Sequence, residues 1–181
     1  TRKEITIKDL ANRVQCANED ALQVTQSHSS PISPPPFMAG AAEGEVDLET
    51  GQVELIKFAA AVDCGTPLNE NLARVQTEGG LVQGIGMALY EDVSYSKDGK
   101  VHENSFMQYK VPSRLDVGRV QVEFESSFEP TGPFGAKSIG EVVINTPSPA
   151  IANAVYNAVG VRIRELPITA EKVFKGMNGL D

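Results

Sequence analysis

Residues 132–141, with the sequence GPFGAKSIGE, combine the residue types most able to carry chemistry in this chain. Three glycines and a proline predict a loop whose backbone approaches a neighbour closely, and successive N–H groups of such a loop can converge on an anion. This segment, the glutamate loop, ends on a single acid, Glu141, which the apolar residues Val142, Val143 and Ile144 follow. A carboxylate in that position is a candidate general base. A tight connection carrying a solvated lysine is the alternative interpretation.

Two better-known glycine motifs do not describe the chain. A phosphate-binding P-loop places Lys directly after Gly, whereas Ala136 separates Gly135 from Lys137 here. The pair Gly84 and Gly86 lacks the third glycine of a dinucleotide fingerprint and lies within a helical pattern. Neither nucleotide-binding motif is therefore predicted.

Composition narrows the classes of partner. A formal net charge of -8 over 181 residues argues against nucleic acid or an anionic membrane surface. Every apolar run is shorter than the ~20 residues that a membrane span needs. The two cysteines, Cys16 and Cys64, and the two histidines, His28 and His102, form no metal-ligand spacing, so no metal ligand is assigned. Reduced cysteines indicate a cytoplasmic protein.

The order of elements favours an α+β fold, in which mixed sheets built from hairpins pack against helices. Strands are predicted at residues 37–48, 52–63 and 120–125, the second apolar enough to be central, with Gly51 in a left-handed turn between the first two. Extended segments are also predicted at residues 21–25, 104–112 and 161–166. Helices are predicted at residues 7–16 and 71–91, between Ser148 and Gly160, and after Thr169. The Ser/Pro-rich stretch 29–36 could connect two subdomains.

The predicted helix 71–91 is the second informative stretch. One helical stripe is formed by residues three or four positions apart, namely Gln76, Gly79, Gln83, Gly86 and Tyr90. Each glycine destabilises a helix by about 1 kcal/mol relative to Ala. Either tight helix packing or a ligand lying against the backbone is therefore expected. For the glutamines, hydrogen bonding to nearby loop backbone is the alternative.

The glutamate loop resembles the segment that carries the active-site glutamate of the molybdenum hydroxylases, the family of the xanthine dehydrogenase, aldehyde oxidoreductase and carbon monoxide dehydrogenase large subunits. Further resemblances occur in the family's order at residues 45–51, 63–69, 76–86, 109–112 and 166–167. Glu70 departs from the proline that usually follows Asn69 in this family. The resemblance covers nearly the whole chain and is firmest from Phe37 onward.

The resemblance implies a molybdenum-cofactor-binding domain of the xanthine dehydrogenase type, with residues 1–181 as its C-terminal part. The implied cofactor is molybdenum on molybdopterin, in the mono- or cytosine dinucleotide form, without a protein ligand to the metal. Glu141 would be the general base for hydroxylation of a heteroaromatic or aldehyde carbon with oxygen derived from water. Gln76 would hydrogen-bond the pterin. The other residues expected around the cofactor are Gly135, Ala136, Lys137 and Ser138.

The resemblance also implies what other polypeptides supply. The substrate pocket is expected on a preceding molybdenum-binding domain, and 2Fe-2S clusters and FAD on iron–sulfur and flavin domains or subunits. The full complex is expected to be a homo-oligomer, and the chain alone to be inactive. Two alternatives stay open: a non-catalytic scaffold or dimerisation module of such a complex, and an independent acidic ligand-binding domain.

Overall fold

The computed structural model describes residues 4–16, 23–27 and 29–180. The chain divides into two compact units, Thr1–Pro31 and Ile32–Asp181. The division falls within the Ser/Pro-rich stretch, while the assignment of the whole chain to one domain stays a prediction.

The first unit contains helix α1 (Ile7–Cys16), with the predicted bounds. The Thr6 hydroxyl caps it, because Oγ1 accepts a hydrogen bond from the Asp9 backbone N–H at 3.1 Å and donates to the Asp9 carboxylate at 2.6 Å. The strand predicted at residues 21–25 is wrong for residues 23–25, which form no strand. An alternating pattern becomes a strand only where a partner strand accepts its hydrogen bonds. Residues 21 and 22 lie outside the described part of the chain.

A three-stranded mixed sheet organises the second unit. Its order is β1 (Phe37–Val46), β2 (Val53–Asp63) and β3 (Arg119–Phe124), with β2 antiparallel to β1 and parallel to β3. The apolar strand predicted to be central is therefore central. Gly51, with φ at 77°, occupies the predicted left-handed position between β1 and β2.

Helices cover one face of the sheet. Helix α2 (Glu70–Leu89) packs against β3, and helix α3 (Pro147–Val159) packs against β1 and α2. The side chains buried between sheet and helices include Leu55, Phe58, Val62, Leu81, Ile85, Val122, Ile151 and Val155. The last helix, α4 (Ala170–Asn178), is capped by the Thr169 side chain, as its predicted position implied. This core holds the carboxyl end of β2 in place.

The predictions of extended segments at residues 104–112 and 161–166 are wrong. Within residues 104–112, the N–H groups of Gln108 and Tyr109 donate to the Ser105 carbonyl at 3.0 and 2.8 Å, which closes a turn. Residues 161–166 form no strand. Val161 instead fills the space above Gly176 of α4, where a Cβ would lie 2.4 Å from its Cγ1. A local turn in the first segment, and the packing of Val161 on α4 in the second, thus take the place of strand pairing.

Two glycines of α2 allow a close approach to the chain that follows the glutamate loop. A Cβ at Gly80 would lie 2.2 Å from Cγ2 of Val143, and a Cβ at Gly84 would lie 2.7 Å from Cγ of Pro147. Gly79 differs, since no atom lies within 4 Å of the position its Cβ would take. Tight packing therefore explains Gly80 and Gly84, and Gly79 faces open space.

These neighbouring glycines give a matched pair of substitutions. We expect Gly79→Ala to raise the free energy of unfolding by up to about 1 kcal/mol, because only helix propensity changes. Gly80→Ala should lower it by about 1 to 3 kcal/mol, because Val143 must move away. Urea denaturation followed by circular dichroism measures both values. Equal effects of the two substitutions would contradict the packing of Val143 on Gly80.

Candidate functional site

The glutamate loop is attached by its backbone to the segment that follows β2. The Lys137 N–H donates to the Cys64 carbonyl at 2.7 Å, and the Thr66 N–H donates to the Gly135 carbonyl at 2.8 Å. These two backbone hydrogen bonds fix the glutamate loop to the residues that directly follow the central strand β2.

The turn of the loop requires glycine at position 135. Gly135 is buried with φ at 85°, and a Cβ there would lie 2.4 Å from the Phe128 ring and 2.6 Å from Oγ1 of Thr66. The preceding Phe134 also has a positive φ, 54°, and is 82% exposed. The close backbone approach predicted from the glycines is thus present, and its neighbours belong to the protein itself.

The side chain of Lys137 ends on Asp63, the last residue of β2. Nζ lies 2.5 Å from Oδ2 of Asp63, the lysine side chain is 7% exposed, and Nζ lies 5.1 Å from the centre of the Phe37 ring. Oδ1 of Asp63 accepts hydrogen bonds from Oγ of Ser127 at 2.5 Å and from the Gly65 N–H at 3.0 Å. The Lys137 ammonium, followed by the Ser127 hydroxyl, lowers the pKa of Asp63 to about 2. The Asp63 carboxylate is therefore ionised at neutral pH.

Glu141 is exposed and lies directly before a short 3-10 helix, Val142–Ile144. Val143 in that turn is 1% exposed and packs on Gly80 of α2. Within the described residues, the Glu141 carboxylate has neither a hydrogen bond nor an ion pair. The packing of Val143 thus fixes the backbone next to Glu141, while the exposed carboxylate has no counter-ion within the described residues.

A cleft of about 380 Å³ lies between the first turns of α2 and the glutamate loop, and we call it the helix cleft. Gln76, Ala136 and Lys137 line it, together with Thr66 and Ile139. The structure thus brings three of the six predicted site residues together. The other three predicted site residues do not line this cleft. Gly135 is a buried residue of the loop, and Ser138 and Glu141 are exposed.

Only part of the stripe predicted along α2 lines the helix cleft. Gln76 lines the helix cleft, whereas Gln83, also exposed on α2, does not. Sequence reasoning missed Asp63 as a site residue. Its signal was present, namely an acid at the end of an apolar strand and two residues before Gly65.

A second cleft, of about 420 Å³, lies on the sheet face that α2 and α3 leave open. Small side chains of β1 and β2 form most of it, with Gln121 and Glu123 of β3 at one side. None of the predicted site residues lines this second cleft.

Two other features are absent from residues 4–16, 23–27 and 29–180. No group of three or more His, Cys, Asp or Glu side chains there could hold a metal ion. No helix in those ranges has the length and apolarity needed to cross a membrane.

Comparison with known families decides the chain's relationship. The family described as "Molybdopterin cofactor-binding domain" matches residues 1–118 of the 181. The chain belongs to this family. The resemblance to molybdenum hydroxylases and the α+β prediction are thereby confirmed, as is molybdopterin as the family's cofactor.

Individual relatives of this molybdopterin cofactor-binding domain match more of the chain than the residues 1–118 that the family matches. Probable hypoxanthine oxidase XdhD of Escherichia coli is 34% identical over 176 residues, 96% of this chain and 18% of that protein. The 6-hydroxypseudooxynicotine dehydrogenase complex subunit gamma of Paenarthrobacter nicotinovorans is 36% identical over 81% of this chain and 19% of its own length. The crystal structure of aldehyde oxidoreductase from Desulfovibrio gigas superposes with a TM-score of 0.73 at 32% identity, covering 79% of this chain and 15% of that one. The chain spans about a fifth of the two protein relatives.

The residues of the helix cleft fit the organic part of molybdopterin. Pockets for such ligands are mainly apolar and contain a few polar groups that fix orientation. Gln76 offers a carboxamide with both donors and an acceptor, which matches the mixed edge of a pterin ring. Thr66 adds a hydroxyl, and Ile139 and Leu72 supply apolar wall. The donor set is therefore suitable for a flat heteroaromatic ring.

The low pKa of Asp63 predicts a pH dependence of stability. Its pKa is lowered from 3.8 to about 2 in the folded chain, so the stabilisation is complete above about pH 4 and is lost as pH falls toward 2. We expect Asp63→Asn to lower the free energy of unfolding by about 1 to 2 kcal/mol at pH 7. This difference from the wild type should shrink as pH falls through about 2, because Asp63 then becomes protonated in the folded chain.

Urea unfolding at pH 7, 4 and 2 measures this difference. Asp98→Asn, a carboxylate removed from an exposed turn, is the control and should give no such convergence. A difference that stays constant with pH would show that Asp63 does not gain stability from its charge.

Proposed function

We propose that this chain is the part of a molybdenum hydroxylase that supplies the general-base glutamate, Glu141, and one wall of the molybdopterin site. The reaction is hydroxylation of a heteroaromatic or aldehyde carbon with oxygen derived from water. One observation carries the proposal. Glu141 lies between two fixed points, the Lys137–Asp63 ion pair before it and the Val143 packing after it, on the loop that borders the helix cleft.

The chain's own residues divide the work. When bound, molybdopterin supplies the two-electron oxidation chemistry at molybdenum. A carboxylate oxygen of Glu141 accepts the proton that the water-derived oxygen loses during attack on the substrate carbon. The Gln76 carboxamide binds the pterin edge and orients it. Ala136 and Ser138 present the loop to the cofactor, while Gly135, whose backbone groups bond within the protein, sets the turn of the loop and Lys137 holds it through Asp63.

The remaining parts of the enzyme are proposed to lie on other polypeptide segments. Since the chain spans about a fifth of its relatives, the substrate pocket and the rest of the cofactor site belong to a preceding molybdenum-binding domain. Electrons leave through 2Fe-2S and flavin domains or subunits, in keeping with a relative that is a subunit of a complex. We also propose a cytoplasmic, homo-oligomeric complex and no turnover by the isolated chain.

A scaffold function is the second candidate. The open sheet face, with its cleft of about 420 Å³ between small side chains, favours packing against another polypeptide. In that account Glu141 is dispensable for turnover, so substitution of Glu141 separates the two functions.

We expect Glu141→Gln in the complete enzyme to lower kcat by at least about 100-fold, because Gln cannot accept the proton. Molybdenum content should stay near the wild-type value. Steady-state turnover and metal analysis measure the two quantities. Glu125→Gln, the same chemical change at an exposed residue after β3, is the control and should retain wild-type turnover.

Two outcomes would contradict the role of Glu141. One is wild-type turnover of Glu141→Gln. The other is loss of molybdenum with unchanged turnover per bound molybdenum, which would favour the scaffold function.

The two exposed glutamines of α2 test the cofactor wall. Gln76→Leu should weaken retention of the pterin about 3- to 10-fold, since one hydrogen bond is removed. Gln83→Leu, on the same helix but outside the helix cleft, should have no effect. Pterin and molybdenum per protein, measured after dilution and gel filtration, give the answer. Equal losses in the two variants would exclude a specific contact at Gln76.

A further inference from the structure

Lys137 is attached to the carboxyl end of β2 through both its backbone and its side chain. Its N–H donates to the Cys64 carbonyl at 2.7 Å, and its Nζ lies 2.5 Å from Asp63. The lysine side chain is 7% exposed, and among the described residues Asp63 is the carboxylate that contacts its Nζ, with Glu129 in electrostatic range. Asp63 is 22% exposed, so the pair is partly buried, and breaking it leaves the more buried lysine without its partner, which is unfavourable. Lys137 is therefore committed to Asp63.

Asp63 joins three separate segments at one carboxylate. Oδ2 binds the glutamate loop through Lys137, and Oδ1 binds Ser127, which precedes that loop, and the Gly65 N–H just after β2. The strand that carries Asp63 is central in the sheet and has Val62, fully buried, as the preceding residue. Because Asp63 directly follows this buried residue, its carboxylate connects the loop to the hydrophobic core.

The distance from this attachment to Glu141 is short. Only Ser138, Ile139 and Gly140 separate Lys137 from Glu141, and an extended chain advances at most ~3.6 Å per residue. No atom lies within 4 Å of the position that a Cβ of Gly140 would take, so this part of the loop has room to move. Without the Lys137–Asp63 bond, Glu141 would be restrained from its C-terminal side by Val143 on Gly80. On its N-terminal side, only the packing of Ile139 on the core and the backbone bond of Lys137 to Cys64 would remain among the contacts of the described residues.

We propose that Asp63 is a positioning residue for hydroxylation, because its bond to Lys137 sets where the glutamate loop holds the Glu141 carboxylate. This inference rests on the proposed function of Glu141 as the general base. Asp63 itself touches neither substrate nor cofactor in this account. Misplacement of a reacting group by about 1 Å lowers a rate about 100-fold. Loss of the pair should therefore reduce turnover without removing the base.

The experiment uses the complete enzyme and three variants, Asp63→Asn, Lys137→Met and the double variant. We expect each to lower kcat about 10- to 100-fold, with the substrate KM changed less than about 3-fold and molybdenum content near wild type. The double variant should be no slower than the slower single variant, since both substitutions break one bond. Lys137→Arg, which keeps a cation for Asp63, should restore part of the lost kcat.

A matched control removes a lysine from an exposed ion pair. Lys175→Met breaks the pair with Glu171 on α4, where Nζ and Oε1 are 3.3 Å apart. It should leave kcat, KM and molybdenum content unchanged. Hydrogen exchange of the complete enzyme gives a second readout, in which Asp63→Asn should accelerate exchange within residues 132–141 and leave β2 protected.

Each failure has a distinct signature. Wild-type kcat in Asp63→Asn and Lys137→Met, beside an inactive Glu141→Gln enzyme, would overturn the positioning role alone. Losses of kcat that add in the double variant, or no recovery in Lys137→Arg, would also overturn it. If Asp63→Asn fails to fold, Lys137→Met and Lys137→Arg decide the question. An active Glu141→Gln enzyme would instead overturn the proposed function.

Discussion

The candidate site depends on the partly buried ion pair between Lys137 and Asp63. The pair connects the glycine-rich glutamate loop to the end of the central strand of the sheet. Since the lysine side chain is 7% exposed, its ammonium gains little from water and must keep its carboxylate. The loop that ends on Glu141 therefore takes its position from the hydrophobic core rather than from its own sequence.

A second constraint acts on the other side of the acid. Val143 enters the space that the absent side chain of Gly80 leaves on α2, and Gln76 lies one helical turn earlier on the same helix. One packing contact thus sets the spacing between the helix that carries the cleft glutamine and the turn that follows Glu141. Gly80 and Gly84 of α2 allow this approach, whereas the glycines of the glutamate loop have no neighbour on α2.

Local patterns predicted the elements whose signals lie within a few residues. Three such signals correctly predicted the structure at their own positions, namely the apolar run of β2, the left-handed Gly51 and the Thr6 cap of α1. The extended segment predicted at residues 161–166 is wrong because Val161 packs on α4, a contact that an alternating sequence pattern cannot reveal. For the site, resemblance supplied Glu141 and Gln76, whereas Asp63 binds a lysine 74 positions away. No periodicity connects residues at that separation, so the partner of Lys137 had to come from the fold.

A crystal structure of the complete enzyme with molybdopterin bound tests the central claim most directly. The account predicts that Nζ of Lys137 stays on Asp63 while the Glu141 carboxylate faces the molybdenum centre and the Gln76 carboxamide contacts the pterin. A Lys137 side chain that has left Asp63 to bind the cofactor, or a Glu141 directed away from the metal, would contradict it.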